Sequence, residues 1–228
     1  MNLLLFDIDG TLMKAGGAGF RAMDRAVEQR LGVHNATKGI IPHGKTDPLI
    51  LREILRKIGV NRSTTSSLLP LLIEDYERLL AVEMPRAPAV LLPGVRELLD
   101  AFSTQRHVLL GLLTGNLERT ARIKLNRFDL NRFFRFGAFG SDSEHRVALP
   151  AIAAGRAERL AGEPVALGRH IQVIGDTPRD VECALANGAT AVAVATGGAT
   201  AEELRSAGAH VVFEDFTHTA DVVAAIMG

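Results

Sequence analysis

An α/β fold, a doubly wound parallel sheet carrying an inserted all-helical segment, is what the sequence predicts, and three observations predict it. Short apolar runs recur along the 228 residues, each followed by a turn and then by helical periodicity. Between about Gly16 and Pro88 that alternation stops, and only helical periodicity remains. The first apolar run, Leu3–Phe6, delivers two carboxylates one residue apart in Asp7-Ile8-Asp9-Gly10-Thr11.

Taken in order, the predicted strands are Leu3–Phe6, Val108–Leu113, Phe133–Phe139, Ile171–Ile174, Ala191–Val194 and His210–Phe213. Between and after them, helices are predicted over Val95–Phe102, Leu117–Phe128, Pro150–Leu160, Pro178–Ala186, Ala201–Ala207 and Thr219–Ile226. Several of these helices carry proline in or near the first turn, where its missing N–H costs nothing. Strands that alternate with helices imply parallel pairing through crossover connections. The interrupting segment predicts three helices, Phe20–Leu31, Pro48–Ile58 and Thr65–Val82. Its lead-in, Ala15-Gly16-Gly17-Ala18-Gly19, reads as a flexible hinge, and its exit from Met84 to Ala89 is marked by prolines. The expected organisation is a core of residues 1–15 and 89–228, with residues 16–88 inserted as a helical cap. A lid placed directly after the first acidic loop is suited to excluding water and selecting a ligand.

Composition narrows the classes. Lys plus Arg and Asp plus Glu both number 26, so no electrostatic footprint for nucleic acid or an anionic membrane is expected. A hydrophobic fraction of 47% suffices for a globular core. The single Cys183 excludes an internal disulfide, and no apolar run reaches membrane-spanning length or resembles a secretion signal. A soluble cytoplasmic protein, monomer or homodimer, is expected.

Candidate chemistry lies where strands end, because ligands of open α/β sheets sit beyond the carboxyl ends of the strands. Asp7 and Asp9 follow the first strand, and alternate residues of extended chain share a face, so the two can converge on one site. Asp is depleted in strands and rarely buried without a partner. A hard cation such as Mg²⁺ is the natural neutraliser. Thr114-Gly115-Asn116 follows the second core strand and leads into a helix, whose free N–H groups suit an anion. Gly175-Asp176-Thr177-Pro178-Arg179-Asp180 supplies two further acids at a helix start. Four acids with an anion-accepting hydroxyl and amides point to a metal ion plus an oxyanion.

These motifs resemble those of the haloacid dehalogenase superfamily of phosphohydrolases, with their Rossmann-like core, in the branch with a helical cap between the first and second motifs. Asp7-Ile8-Asp9-Gly10-Thr11 matches the first motif, Thr114 the second and Gly175–Asp180 the fourth. The resemblance implies that Asp7 is the nucleophile, forming an aspartyl-phosphate, and that Asp9 is the general acid and then the base. It implies Mg²⁺ on the Asp7 carboxylate, the Asp9 carbonyl and Asp176, with Asp180 completing or orienting that shell. It places phosphoryl oxygens on Gly10, Thr114 and the amides of Gly115 and Asn116. Relatives that expel a halide lack an acid at the Asp9 position, because a halide needs no proton. The implied substrate is a small phosphorylated metabolite of the phosphoglycolate, sugar-phosphate or nucleoside-monophosphate kind.

The third motif departs from the pattern, which usually supplies a Lys. No Lys follows Lys124, so Arg146, just before the helix at Pro150, is expected to give the cation, with Arg156 second in line. Its guanidinium fork adds bidentate phosphate contacts that an ammonium lacks. The run Gly39-Ile40-Ile41-Pro42-His43-Gly44-Lys45-Thr46 also fits the P-loop pattern, but the residues before it are polar where a buried strand is required. His43, Gly44 and Lys45 are instead expected to face the site from the cap, where the resemblance implies specificity contacts. A phosphomutase using the same residues, a nucleotide-binding switch on Gly39–Thr46 and a silenced binding scaffold are the alternatives. Cys183, among Ala and Leu, reads as a buried structural thiol.

Overall fold

The computed structural model describes residues 1–165 and 167–228. Strand β1 (Asn2–Phe6) is buried on both faces: Leu3 and Leu5 join one apolar cluster, Leu4 and Phe6 the other. Side chains alternate faces with period two, and a strand with no polar face belongs between two helical layers. After it come β2 (Met13–Lys14), α1 (Ala18–Leu31), α2 (Asp47–Lys57), α3 (Arg62–Glu83) and β3 (Val90–Leu91). The chain then alternates through α4 (Val95–Ser103), β4 (Val108–Leu113), α5 (Glu118–Asn126), β5 (Gly137–Ala138) and α6 (Leu149–Ala161). It finishes with β6 (Ile171–Gly175), α7 (Pro178–Ala186), β7 (Thr190–Val194), α8 (Ala201–Ser206), β8 (Val211–Phe213) and α9 (Thr219–Met227).

The main sheet has the order β5-β4-β1-β6-β7-β8, with every pair parallel. The chain moves outward through β4 and β5, then returns across β1 and moves outward the other way. β1 between β4 and β6 is therefore the topological switch point, where a crevice opens beyond the strand ends. Register fixes what meets there. Phe6 lies opposite Leu112 on one side and Ile174 on the other, so the residues that follow each strand come together.

The helices α1, α2 and α3 form as the periodicity predicts. In α3 the buried Leu69, Leu72, Tyr76, Leu79 and Leu80 make one stripe, and Asn61 caps the helix by accepting from Thr64 N at 2.9 Å. In α2 the stripe is Ile50, Leu51, Ile54 and Leu55. These side chains belong to the same apolar cluster as Leu4, Phe6 and Ile8.

Two elements differ from expectation. The lengths of chain flanking the three helices pair as a two-residue antiparallel ribbon, Met13 with Leu91 and Lys14 with Val90, too short to leave a readable pattern. The strand expected over Phe133–Phe139 shrinks to Gly137–Ala138 after a 3-10 turn at Asn131–Phe133. The aromatic residues there act as anchors instead: Phe134 is buried edge-to-face on Phe6, ring centres 5.9 Å apart. Such burial contributes about 2–3 kcal/mol per ring and produces an apolar run without a ladder. Among the described residues no helix is long and apolar enough to cross a membrane.

Candidate active site

Asp7 leaves β1 with its N–H donating to Ile174 O at 2.9 Å, which fixes its backbone between β1 and β6. Its carboxylate is buried, and Arg146 Nη2 lies 3.1 Å from Asp7 Oδ1. The same guanidinium pairs closely with Asp180 Oδ1 and donates to Leu113 O at 3.4 Å. Arg146 thus sits in a 3-10 turn before α6 with its charge pressed into the strand ends. Burial works against that charge, but Asp180 and Asp7 outweigh it and push the pKa up.

Asp180 spends its other oxygen on the start of α7, accepting from Thr177 N at 3.0 Å and Thr177 Oγ1 at 2.7 Å. Both Asp180 oxygens are thus engaged by protein donors. Asp176 is different. Its Oδ1 accepts from Thr11 Oγ1 at 2.9 Å, while a Cβ at Gly10 or Gly197 would overlap its Oδ2. Gly10 has φ +89°, open to glycine at little cost. Its N–H, expected on phosphate, is taken by Met13 O at 2.9 Å. Gly10 therefore makes room for Asp176, with its N–H engaged inside the loop.

Asp7, Asp176 and Asp180 bring oxygen atoms within 4.8 Å of one another, all buried. One buried guanidinium faces three carboxylates, which leaves negative charge uncompensated. Burial pushes Asp7 up to about 6 despite Arg146, and the charges of Asp180 and Asp9 add to the rise. Asp176 is raised well above the ordinary carboxylate range by burial and then by Asp180 and Asp7. A buried all-oxygen donor set with surplus negative charge fits a small divalent cation.

On the other side, Thr114 follows β4, its N–H donating to Ala138 O at 3.1 Å. Thr114 Oγ1 accepts from Asn116 Nδ2 at 2.8 Å and from Asn116 N at 3.3 Å, so its own proton points elsewhere. The Asn116 amide expected on phosphate is thereby engaged locally, and its side chain bonds Asp9 Oδ2 at 2.8 Å. Asp9 is the more open acid, with its side chain 42% exposed. Gly115 allows close approach of a different kind: a Cβ there would overlap Lys45 O in the loop before α2.

Two polar residues of this cluster escaped the sequence reading. Lys124, in α5, is buried and donates to Asp9 Oδ2 and to Asn116 Oδ1, both at 2.6 Å. Burial lowers its pKa, but Asp9 and Asp47 more than offset this, and the net shift is upward. Asp47, at the start of α2, accepts from Leu117 N at 3.1 Å and Thr120 Oγ1 at 2.9 Å. A signal existed for Lys124, since it shares the buried stripe of Leu117, Thr120 and Ala121 at helical spacing. Asp47 and Gly197 had no local signal that set them apart from an ordinary helix start or turn.

A cleft of about 550 Å³ opens over these groups, floored by Asp7, Asp9, Thr114 and Arg146 and faced by Phe20, Ile50, Tyr76, His43, Gly44 and Lys45. Lys45 is held by Glu53 at 2.5 Å, both in the helical segment. The residues before Gly39 form no strand, and Thr46 opens α2 without the cradle a P-loop needs, which removes the nucleotide-switch reading. Arg156 pairs with Asp142 at 2.6 Å and stands outside the acid cluster.

Cys183 lies beneath the site, its thiol donating to Arg146 O at 3.2 Å. Burial pushes it up to about 12. Native protein at pH 8 is therefore expected to leave a thiol reagent unconsumed, and unfolding should speed the reaction by about a hundredfold or more. Rapid colour development with folded protein would contradict that placement.

Acids from two adjacent strand ends face a hydroxyl turn from a third, all at the switch point of a doubly wound α/β sheet. Residues 4–194 match the family described as haloacid dehalogenase-like hydrolase, and the chain belongs to that family. It is 26% identical over 196 residues, 82% of each chain, to a protein of Thermotoga maritima described as phosphorylated carbohydrates phosphatase. A hydrolase from Pseudomonas syringae superposes with a TM-score of 0.69 at 24% identity, covering 99% of both chains. A protein of Haemophilus somnus described as a predicted phosphoglycolate phosphatase gives 0.72 at 17% identity, covering 98% of both. At these identities the structural likeness is one of fold.

Proposed function

We propose that this protein is a Mg²⁺-dependent phosphomonoesterase acting on a small phosphorylated metabolite through an aspartyl-phosphate on Asp7. The observation that carries the reading is the buried Asp7–Arg146–Asp180 pairing beside Asp176, with Asp9 two residues on and open to the cleft. The Asp7 carboxylate, the Asp9 carbonyl and Asp176 would hold Mg²⁺, whose positive charge would offset repulsion between an anionic nucleophile and a phosphate dianion. Asp7 attacks phosphorus, the ester P–O bond breaks, and the departing oxygen takes the proton of Asp9. Asp9, now a carboxylate, takes a proton from water as that water attacks phosphorus, which releases inorganic phosphate and restores Asp7. Arg146 and Thr114 Oγ1 hold phosphoryl oxygens, so that the developing charge meets fixed donors. Residues 16–88 act as the cap over the cleft, with His43, Gly44 and Lys45 offered to the leaving group. The phosphorylated-carbohydrate relative supports a sugar-phosphate-sized substrate.

The test is release of inorganic phosphate from p-nitrophenyl phosphate and a panel of phosphorylated metabolites, in Mg²⁺ and in EDTA. Release that requires Mg²⁺ supports the reading. Phosphate that instead reappears on a second position of the substrate would replace it with the mutase alternative. The packing of Gly197 on Asp176 gives a second expectation: Gly197→Ala weakens Mg²⁺ activation by about 10-fold or more, read as the midpoint of a Mg²⁺ titration.

A further inference from the structure

The polar cluster at the cleft floor reaches beyond the groups used above. Asp9 projects into the cleft, but one of its oxygens is fully committed: Oδ2 accepts from both Lys124 Nζ and Asn116 Nδ2. An oxygen that receives two N–H bonds, one of them from an ammonium, is not the oxygen that carries a proton. Lys124 is only 6% exposed, and such a cation is stable only with its charge answered. Part of the answer comes from outside the core. Asp47, on α2, supplies the second carboxylate charge acting on Lys124 and is buried against α5 by Leu117 N and Thr120 Oγ1. The backbone reinforces this seat, since Asp47 N donates to Gly115 O at 2.7 Å.

We propose that Lys124 is a positioning residue that fixes the Asp9 carboxylate by Oδ2 and leaves Oδ1 to exchange the proton, and that Asp47 ties this arrangement to the seating of α2 on the core. The inference rests on the phosphatase reading above. In the forward step the proton leaves Asp9 Oδ1 for the ester oxygen as the P–O bond breaks; in the return step Oδ1 takes a proton from water. Without Lys124, Asp9 keeps its chemistry but loses its orientation, and a displacement of about 1 Å at a reacting group costs on the order of 100-fold. With the Asp47 carboxylate lost, Lys124 keeps Asp9 as its partner while the polar seat of α2 is reduced to its backbone part, Asp47 N on Gly115 O.

Leaving-group dependence separates this role from simple structural support. A p-nitrophenolate needs little help from an acid, whereas an alkoxide needs a proton delivered as it departs. kcat/KM reports events up to the first irreversible step, here transfer to Asp7. Lys124→Met is expected to lower kcat/KM for glycerol phosphate by about 30-fold or more, and for p-nitrophenyl phosphate by less than about threefold. Lys124→Arg is expected to recover part of the glycerol phosphate loss, and Asp47→Asn to repeat the bias at smaller size. A folded Lys124→Met that loses both esters by the same factor, or neither, overturns the proposal. If Lys124→Met does not fold, an unbiased ester ratio in both Lys124→Arg and Asp47→Asn overturns it equally. A wild type that cleaves neither ester in Mg²⁺ overturns the phosphatase reading and this inference with it.

Discussion

Asp7→Asn is expected to abolish Mg²⁺-dependent phosphate release, a loss of about 10⁴-fold or more, while making the cation-free protein harder to unfold. The first effect follows from removal of the nucleophile, for which an amide is no substitute. The second follows from burial. Asp7 ionises at about 6 in the fold against 3.8 for an ordinary Asp, so the folded state binds its proton more tightly than the unfolded chain does. That binding contributes fully below 3.8 and is lost as pH rises through 6, leaving a penalty of about 3 kcal/mol at neutral pH. The amide carries no such penalty. Thermal unfolding in EDTA at pH 7.5 should place Asp7→Asn several degrees above wild type, and the gap should close as pH falls from 6 towards 4. Mg²⁺ should narrow it from the other direction, by stabilising wild type more than the variant. A variant that is inactive because it is less stable than wild type would contradict this account.

Arg146→Ala is expected to cost about 3–5 kcal/mol of stability and nearly all activity, because Asp7 and Asp180 then stay buried without their counter-charge. Denaturant unfolding measures the first effect and phosphate release the second. Arg146→Lys separates the two jobs of the guanidinium. An ammonium restores a charge among the acids, but its reach and fork differ, and it cannot hold Asp7, Asp180 and Leu113 O in the same way. The expected result is stability recovered by more than half and activity recovered by less. Equal recovery of both would show that only the charge matters. Unchanged stability in Arg146→Ala would show that the cluster finds its compensation elsewhere.

Much of this site was legible before any tertiary contact was known. The spacing of Asp7 and Asp9, the turn at Thr114 and the helix start at Asp176–Asp180 are local features, each fixed by a strand end and the few residues after it. Parallel pairing follows from the alternation of elements, while the strand order that sets β1 between β4 and β6 and brings those ends together is seen only in the fold. Arg146 was reachable through the resemblance, whose third motif implies a cation just before the helix at Pro150, and no Lys lies beyond Lys124 to supply it. The short strand at Gly137–Ala138 was overread because buried aromatics and laddered strands produce similar apolar runs.

What the chain determined by itself was therefore the α/β alternation, the helical segment and the identity of the acids at the strand ends, because periodicity and turn chemistry act within a dozen residues. Only the tertiary structure decided the partners. Gly10 and Gly197 close on Asp176, Lys124 reaches Asp9 from 115 residues away, and Asp47 meets Thr120 across 73. Each of those contacts joins segments with no local bias towards one another. Burial then makes them strong, since a low-dielectric crevice amplifies every charge that the fold gathers there.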